Sequence, residues 1–324
     1  MKRLYVLFVA IILLLSITLS FSGCADKATD FPVSTVENGY YNYLAGGNMA
    51  CVDDSLYVNI IGGIIYLGTY KENSTGTTKL FTKEIDADYS VNSPSMYQSD
   101  DKLYFISPES TVFRLFDCSS DSFTKETIDF ELYGIHYVSE DLRISMTYDA
   151  TDNLKFKYKD NEEVTLDKPA SAFTVYDNKI YFITQKGALY YNEPSTLKSE
   201  CEFVSRLNDN GLLPKMLICN GYCYFTDTGT EDAKEGVYRY SFEKDTVELV
   251  LDQEVISMNM QGNKVYFATE KGIYVDDSIE CTKLTSKKAT ELYVFDDEWI
   301  YLYNQEKGLI HRVSNDGTQT QIID

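Results

Sequence analysis

The chain has 324 residues, 44% hydrophobic and 24% charged, which supplies a large core and excludes a wholly disordered chain. Its formal charge of −21 becomes −23 when a leader carrying only Lys2 and Arg3 is set aside, excluding a protein that grips nucleic-acid phosphates. An aromatic fraction of 14%, from 27 Tyr, 17 Phe and one Trp, favours strands and argues against an all-helical fold.

Residues 1–23 read as an export signal: Lys2-Arg3, an almost wholly apolar run from Leu4 to Leu19, then Phe21-Ser22-Gly23 before Cys24. Small residues leading straight into a cysteine resemble the lipobox of bacterial lipoproteins, with Phe21 where that family usually has Leu. The resemblance implies cleavage before Cys24 and lipidation of its sulfur, for which palmitate is the expected acyl group. A thiolate is the nucleophile such a transfer needs. Each buried methylene contributes about 0.8 kcal/mol, so two or more acyl chains hold a protein stably on a membrane. The expected location is therefore extracytoplasmic, at a bacterial cell surface or envelope. Residues 24–47 follow as a lipid-anchored stalk, polar from Ala25 to Asp30, with Glu37 to Tyr43 expected to dock on the domain.

Residues 48–324 carry an internal repeat of two turn-forming residues, one variable residue, an aliphatic residue, a Tyr and an apolar residue. Clear copies are Asp53 to Val58, Asp100 to Phe105, Asp177 to Phe182, Asn220 to Phe225, Gly262 to Phe267 and Asp297 to Leu302, with a degraded one at Glu140 to Ser145. Taking Tyr57, Tyr104, Ile144, Tyr181, Tyr224, Tyr266 and Tyr301 as reference points, the spacings average about 41 residues, the length of a four-stranded propeller blade. The paired Asp, Asn and Gly residues suit a two-residue hairpin because they tolerate positive φ. They join strand A to strand B.

A second set, Tyr66, Phe113, Phe156, Tyr190, Tyr238, Tyr274 and His311, marks strand C. Polar turns then lead to strand D, as at Thr246 to Leu251, and for the last repeat at Thr318 to Ile323. A third set lies eight residues before each reference point: Met49, Met96, His136, Phe173, Met216, Met258 and Tyr293. Large adaptable side chains there predict packing between neighbouring blades. The expected fold is thus an all-β propeller of four-stranded antiparallel blades, seven in number. The ring closes either by packing alone or through a strand added from residues 31–46. The region resembles bacterial lipoproteins with a low-density-lipoprotein-receptor-related (YWTD-like) propeller domain of unknown function. Tyr224-Phe225-Thr226-Asp227 comes nearest to the Tyr-Trp-Thr-Asp hallmark, with Phe in place of Trp. The receptor propellers have six blades, so shared architecture is what the resemblance implies, and their ligands do not carry over.

Chemistry is sparse. His136 and His311, the only histidines, occupy large-side-chain positions of the repeat, and their spacing fits neither a zinc site nor a catalytic triad. Six cysteines besides Cys24 stand at 51, 118, 201, 219, 223 and 281. A turn at Asn220-Gly221 would put Cys219 and Cys223 on opposite faces, so free thiols are expected. Recurrent Asp-Asp pairs read as turn residues. The distinctive segment is Asp227 to Glu235, a lengthened B-to-C loop expected beside Asn208 to Gly211 and Tyr133. The candidate ligand face is Tyr133, Asp209, Asn210, Asp227, Glu231 and Asp232. These carboxylates and amides suit sugar hydroxyls or calcium, the one cofactor considered.

No phosphate loop, nucleophile elbow or metal motif is present, and no catalytic residue is assigned. The reading is a non-catalytic binding or scaffolding module for an envelope protein, peptide or glycan, tethered to the membrane through Cys24, with no nucleic-acid partner. Alternatives are a glycan-active hydrolase or lyase using paired loop carboxylates, and a small-ligand sensor.

Overall fold

Every copy of the repeat supplies the second strand of a four-stranded antiparallel sheet in the computed structural model. The structure describes residues 42, 44–45, 47–52, 55–60, 65–71, 79–86, 95–99, 102–106, 110–120, 122–132, 135–139, 141–146, 153–208, 215–229, 234–295, 298–304 and 307–323. Its strands pair into seven such sheets, each taken from four consecutive strands. The first comprises β1 (Met49–Val52), β2 (Ser55–Ile60), β3 (Ile65–Lys71) and β4 (Lys79–Asp86). The second comprises β5 (Ser95–Ser99), β6 (Lys102–Ile106), β7 (Ser110–Asp117) and β8 (Ser122–Leu132). The third is β9 (Ile135–Val138), β10 (Leu142–Met146), β11 (Asn153–Tyr158) and β12 (Val164–Pro169). The fourth is β13 (Ala172–Tyr176), β14 (Lys179–Ile183), β15 (Ala188–Asn192) and β16 (Glu202–Arg206). The fifth is β17 (Met216–Cys219), β18 (Tyr222–Asp227), β19 (Gly236–Ser241) and β20 (Thr246–Leu251). The sixth is β21 (Ser257–Gln261), β22 (Lys264–Thr269), β23 (Gly272–Asp276) and β24 (Cys281–Thr285). The seventh is β25 (Glu291–Val294), β26 (Trp299–Asn304), β27 (Leu309–Ser314) and β28 (Thr320–Ile323).

First strands of successive sheets lie against one another, as β1 does on β5, β13 on β17 and β21 on β25, so strand A lines the inside and strand D the rim. Burial follows that order. Strands β17 and β25 are buried throughout, whereas β20 is largely exposed and β24 has no buried residue. The turn residues act as expected where they are described, with Asp177 and Asn178 at φ 49 and 57 and Asn220 and Gly221 at φ 50 and 77. The degraded third copy still forms a strand, with Ile144 fully buried in β10.

The upstream set packs between sheets. Met96 shares a buried cluster with Ala50, Val52 and Tyr57 of the first sheet, and Met216 one with Ala172, Ile183 and Leu189 of the fourth. Met49, Met96, Phe173, Met216 and Met258 each pair across the hairpin with the residue after the reference point. In the seventh sheet that place belongs to Leu292, because Tyr293 pairs with Tyr301 itself. The assignment of Tyr293 to the set is corrected: the hairpin between Val294 and Ile300 is longer than two residues, which shifts the register by one. Phe182 stacks on Tyr190, and Phe225 on Tyr238, with ring centroids 5.7 and 5.9 Å apart. Each such buried Phe contributes about 1.5–3 kcal/mol.

The seventh sheet has its own fourth strand, and apolar packing joins Met49, Leu56 and Val58 to Tyr293, Tyr301 and Ile323 across the seam. Residues 42, 44 and 45, at the end of the expected stalk, are helical, and the rest of the segment 31–46, the alternative source of a closing strand, lies outside the described residues. Asn42 is buried against the sixth and seventh sheets. Its Nδ2 donates to the Val294 carbonyl (3.0 Å), and its Oδ1 accepts from Val294 N (3.0 Å) and Asn259 Nδ2 (2.7 Å). Asn48 donates from its backbone N to Tyr293 Oη (2.9 Å) and from Nδ2 to Glu291 Oε1 (2.8 Å), and Tyr293 Oη donates to Glu291 Oε2. Burial raises the Glu291 pKa above the ordinary carboxylate value. The expected signal, residues 1–23, and most of the expected stalk lie outside the described residues.

Candidate functional site

Strands alternate in direction within a sheet, so B-to-C loops and the segments between sheets share one face while A-to-B and C-to-D turns share the other. On the first face, β18 ends at Asp227, which pairs with Gly236 where β19 begins, leaving 228–235 as the lengthened loop. Asp227 is only 3% exposed. Its Oδ2 accepts from Asn208 Nδ2, and its Oδ1 accepts from Gly229 N (2.9 Å). Gly229 takes φ +84, a left-handed conformation suited to glycine, and a Cβ there would stand 3.2 Å from Glu235 N. Tyr238 Oη donates to the Lys234 carbonyl (2.9 Å), and burial, helped by Asp227 and Asp252, raises the Tyr238 pKa.

The loop therefore meets the segment after β16 through the expected neighbour Asn208. Asp227 spends both carboxylate oxygens on that contact and on its own turn. Tyr133, Asp209, Asn210, Glu231 and Asp232, the other members of the candidate face, lie outside the described residues. Among the described residues no cluster of three or more His, Cys, Asp or Glu side chains is placed to hold a metal ion.

The hallmark Tyr224 turns out to serve an inter-sheet contact. Its hydroxyl donates to Asp276 Oδ2 of the sixth sheet (2.6 Å), which also accepts from Arg239 Nη1 (2.8 Å). Arg239 Nε donates to Glu248 Oε1 (2.6 Å), and its guanidinium lies 4.9 Å from the Tyr222 ring centroid. Burial and the bond to the Asp276 carboxylate raise the Tyr224 pKa, which keeps its hydroxyl protonated. Sequence reasoning missed this network. A signal existed: Tyr222 and Trp299 are aromatics at the repeat's variable position, and each has an arginine over its ring, Arg312 lying 4.5 Å from the Trp299 ring.

Cys51, Cys118, Cys201, Cys219, Cys223 and Cys281 are thiols outside any disulfide. Cys219 pairs with Tyr222, and Cys223 with Ile218, as the two-residue turn requires. Burial pushes the Cys201 and Cys281 thiols up to about 12, which removes them from thiolate chemistry at neutral pH. His311 pairs with Leu302 in the strand-C position, while the side chain of His136 lies outside the described residues.

No family model matches the chain, and neither does any curated protein. Solved structures do. YCF48 bound to D1 peptide is 10% identical, with 81% of this chain and 88% of that one covered at a TM-score of 0.56. Hsv2p of Kluyveromyces lactis is 12% identical, with 83% and 94% covered at 0.52. The chain is a β-propeller. At such identities the likeness shows the fold alone.

Proposed function

We propose that this propeller is a non-catalytic binding module for a protein, peptide or glycan, carried on a bacterial envelope membrane by lipid on Cys24. We take its seven sheets as seven blades of one ring and the YWTD-like lipoprotein propellers as its kin. The observation that carries the binding reading is the state of Asp227. Both of its oxygens are bonded within the loop platform, so it shapes a surface joining the fourth and fifth sheets rather than presenting an acid or base to a substrate. YCF48, a propeller of similar fold, holds a peptide, which adds weight to the peptide among the three ligand classes.

The test is thermal melting of the detergent-solubilised full chain with calcium, cell-wall fragments, oligosaccharides and short peptides. A ligand at 100 times its Kd adds about 2.7 kcal/mol to native stability. A shift with peptides, cell-wall fragments or oligosaccharides supports the module. Turnover of an oligosaccharide overturns the non-catalytic reading. For the anchor, Cys24→Ser should abolish palmitate labelling and release the chain from membranes, and a variant that keeps its label would contradict lipidation there.

A further inference from the structure

On the face opposite the 228–235 loop, four turns of the fifth and sixth sheets surround an open cavity of about 570 Å³. Asn220-Gly221 and the segment Ser241 to Glu243 come from the fifth sheet, and Asn263 and Asp277 to Ile279 from the sixth. Tyr222, Phe242 and Ile279 make its apolar lining. Both rings are braced from behind, Tyr222 by the Arg239 guanidinium and Phe242 by edge contacts to Tyr181 and Tyr240 at 5.7 and 5.3 Å. Pre-set rings lower the ordering cost of binding. Ile279 is 88% exposed, more than any other large hydrophobic residue among those described, and it sits at the tip of a turn where folding gains nothing from it.

The rim is anionic. Asp277 accepts from the N–H groups of Glu280 (3.0 Å) and Ile279 (2.9 Å), and these bonds, with Lys264 nearby, hold its carboxyl below the usual range. Glu243 stands exposed on the opposite wall. The whole chain carries a charge of −21, which adds a long-range attraction for cations.

We infer that this cleft binds a basic peptide segment, one apolar side chain entering between Phe242 and Ile279 while a flanking lysine or arginine meets Glu243 and Asp277. The inference rests on the binding-module reading and gives it a site and a ligand chemistry. A glycan fits less well, because a sugar stacks on an open aromatic face, whereas Arg239 takes one face of Tyr222 and Ile279 offers none.

The experiment is fluorescence anisotropy with the solubilised full chain and a short labelled peptide in which Phe is flanked by lysines. A control peptide carries glutamates in place of the lysines. Ile279→Ser and Glu243→Lys alter exposed tips, and melting curves confirm that they fold. The basic peptide should bind and the acidic one should not. Ile279→Ser should weaken binding about 10-fold, the equivalent of losing one partly buried aliphatic side chain. Glu243→Lys should weaken it at least about 5-fold and flatten its salt dependence. Wild-type affinity in both variants, equal binding of the acidic peptide, or displacement of the peptide by an oligosaccharide would overturn the site. If cleft variants bind normally while replacing residues 230–233 with Gly-Ser abolishes binding, the cleft fails and the module stands. If neither peptide binds, and no oligosaccharide or cell-wall fragment shifts the melting point, both fall.

Discussion

The seam between the first and seventh sheets and the cleft between the fifth and sixth both lie where neighbouring sheets meet, yet they use polar side chains in opposite ways. At the seam, Asn48, Glu291 and Tyr293 are buried and bonded to one another. At the cleft, the buried layer of Tyr224, Arg239 and Asp276 is likewise closed, but above it Asn220, Glu243, Asp277 and Ile279 reach solvent. In this propeller buried polar clusters join neighbouring sheets at the seam and beneath the cleft alike, and solvent-facing groups gather at the turns. Polarity alone does not separate the two roles. Burial and partner count do.

The largest effect should come from breaking the closed layer beneath the cleft. Arg239→Ala leaves the Asp276 carboxylate, in a residue 1% exposed, without its cation and should cost about 3–5 kcal/mol in urea unfolding. Next comes Asn42→Ala, which removes three buried hydrogen bonds to the sixth and seventh sheets and should cost about 2–3 kcal/mol. Hydrogen exchange should then accelerate in β21 and β25 before it does in β13. If exchange accelerates uniformly instead, Asn42 is not a local latch.

A pH series sharpens the same contrast. The folded pKa of Glu291 is raised by burial, so its contribution to stability is complete below the unfolded value and is lost as pH rises through the folded value. Asn48 and Tyr293 are the groups facing it. Glu291→Gln should therefore gain stability relative to wild type as pH rises from the ordinary carboxylate range towards neutrality. A pH-independent difference would contradict this assignment. The smallest effect belongs to the exposed pair of Lys234 and Asp252, whose side chains are 69% and 59% exposed: Lys234→Ala should change stability by at most about 0.5 kcal/mol.

Much of the architecture was legible because strand B repeats a buried pattern: Leu56, Leu103, Ile180, Cys223 and Val265 all fill the aliphatic position and are fully buried. The Asp, Asn and Gly turns were legible through their φ requirements, and Asn208 was correctly expected beside the long loop. Three things were not. The one-residue shift at Tyr293 depends on hairpin length, which a fixed spacing cannot register. The helical form of residues 42, 44 and 45, as distinct from the expected docking of Asn42, rests on contacts to Val294 and Asn259, far along the chain. The cleft joins Tyr222, Phe242 and Ile279, residues from two different sheets, and their convergence is a property of neighbouring turns rather than of any local motif.

The most direct test of the account is hydrogen–deuterium exchange of the full chain with and without the lysine-flanked Phe peptide. Protection should rise at residues 220–222, 241–244, 262–264 and 277–280, while residues 47–52 and 291–294 keep the exchange they show without peptide. Protection centred on the seam, or on the 227–229 and 234–236 segments of the opposite face, would contradict the division between closed seam and open cleft.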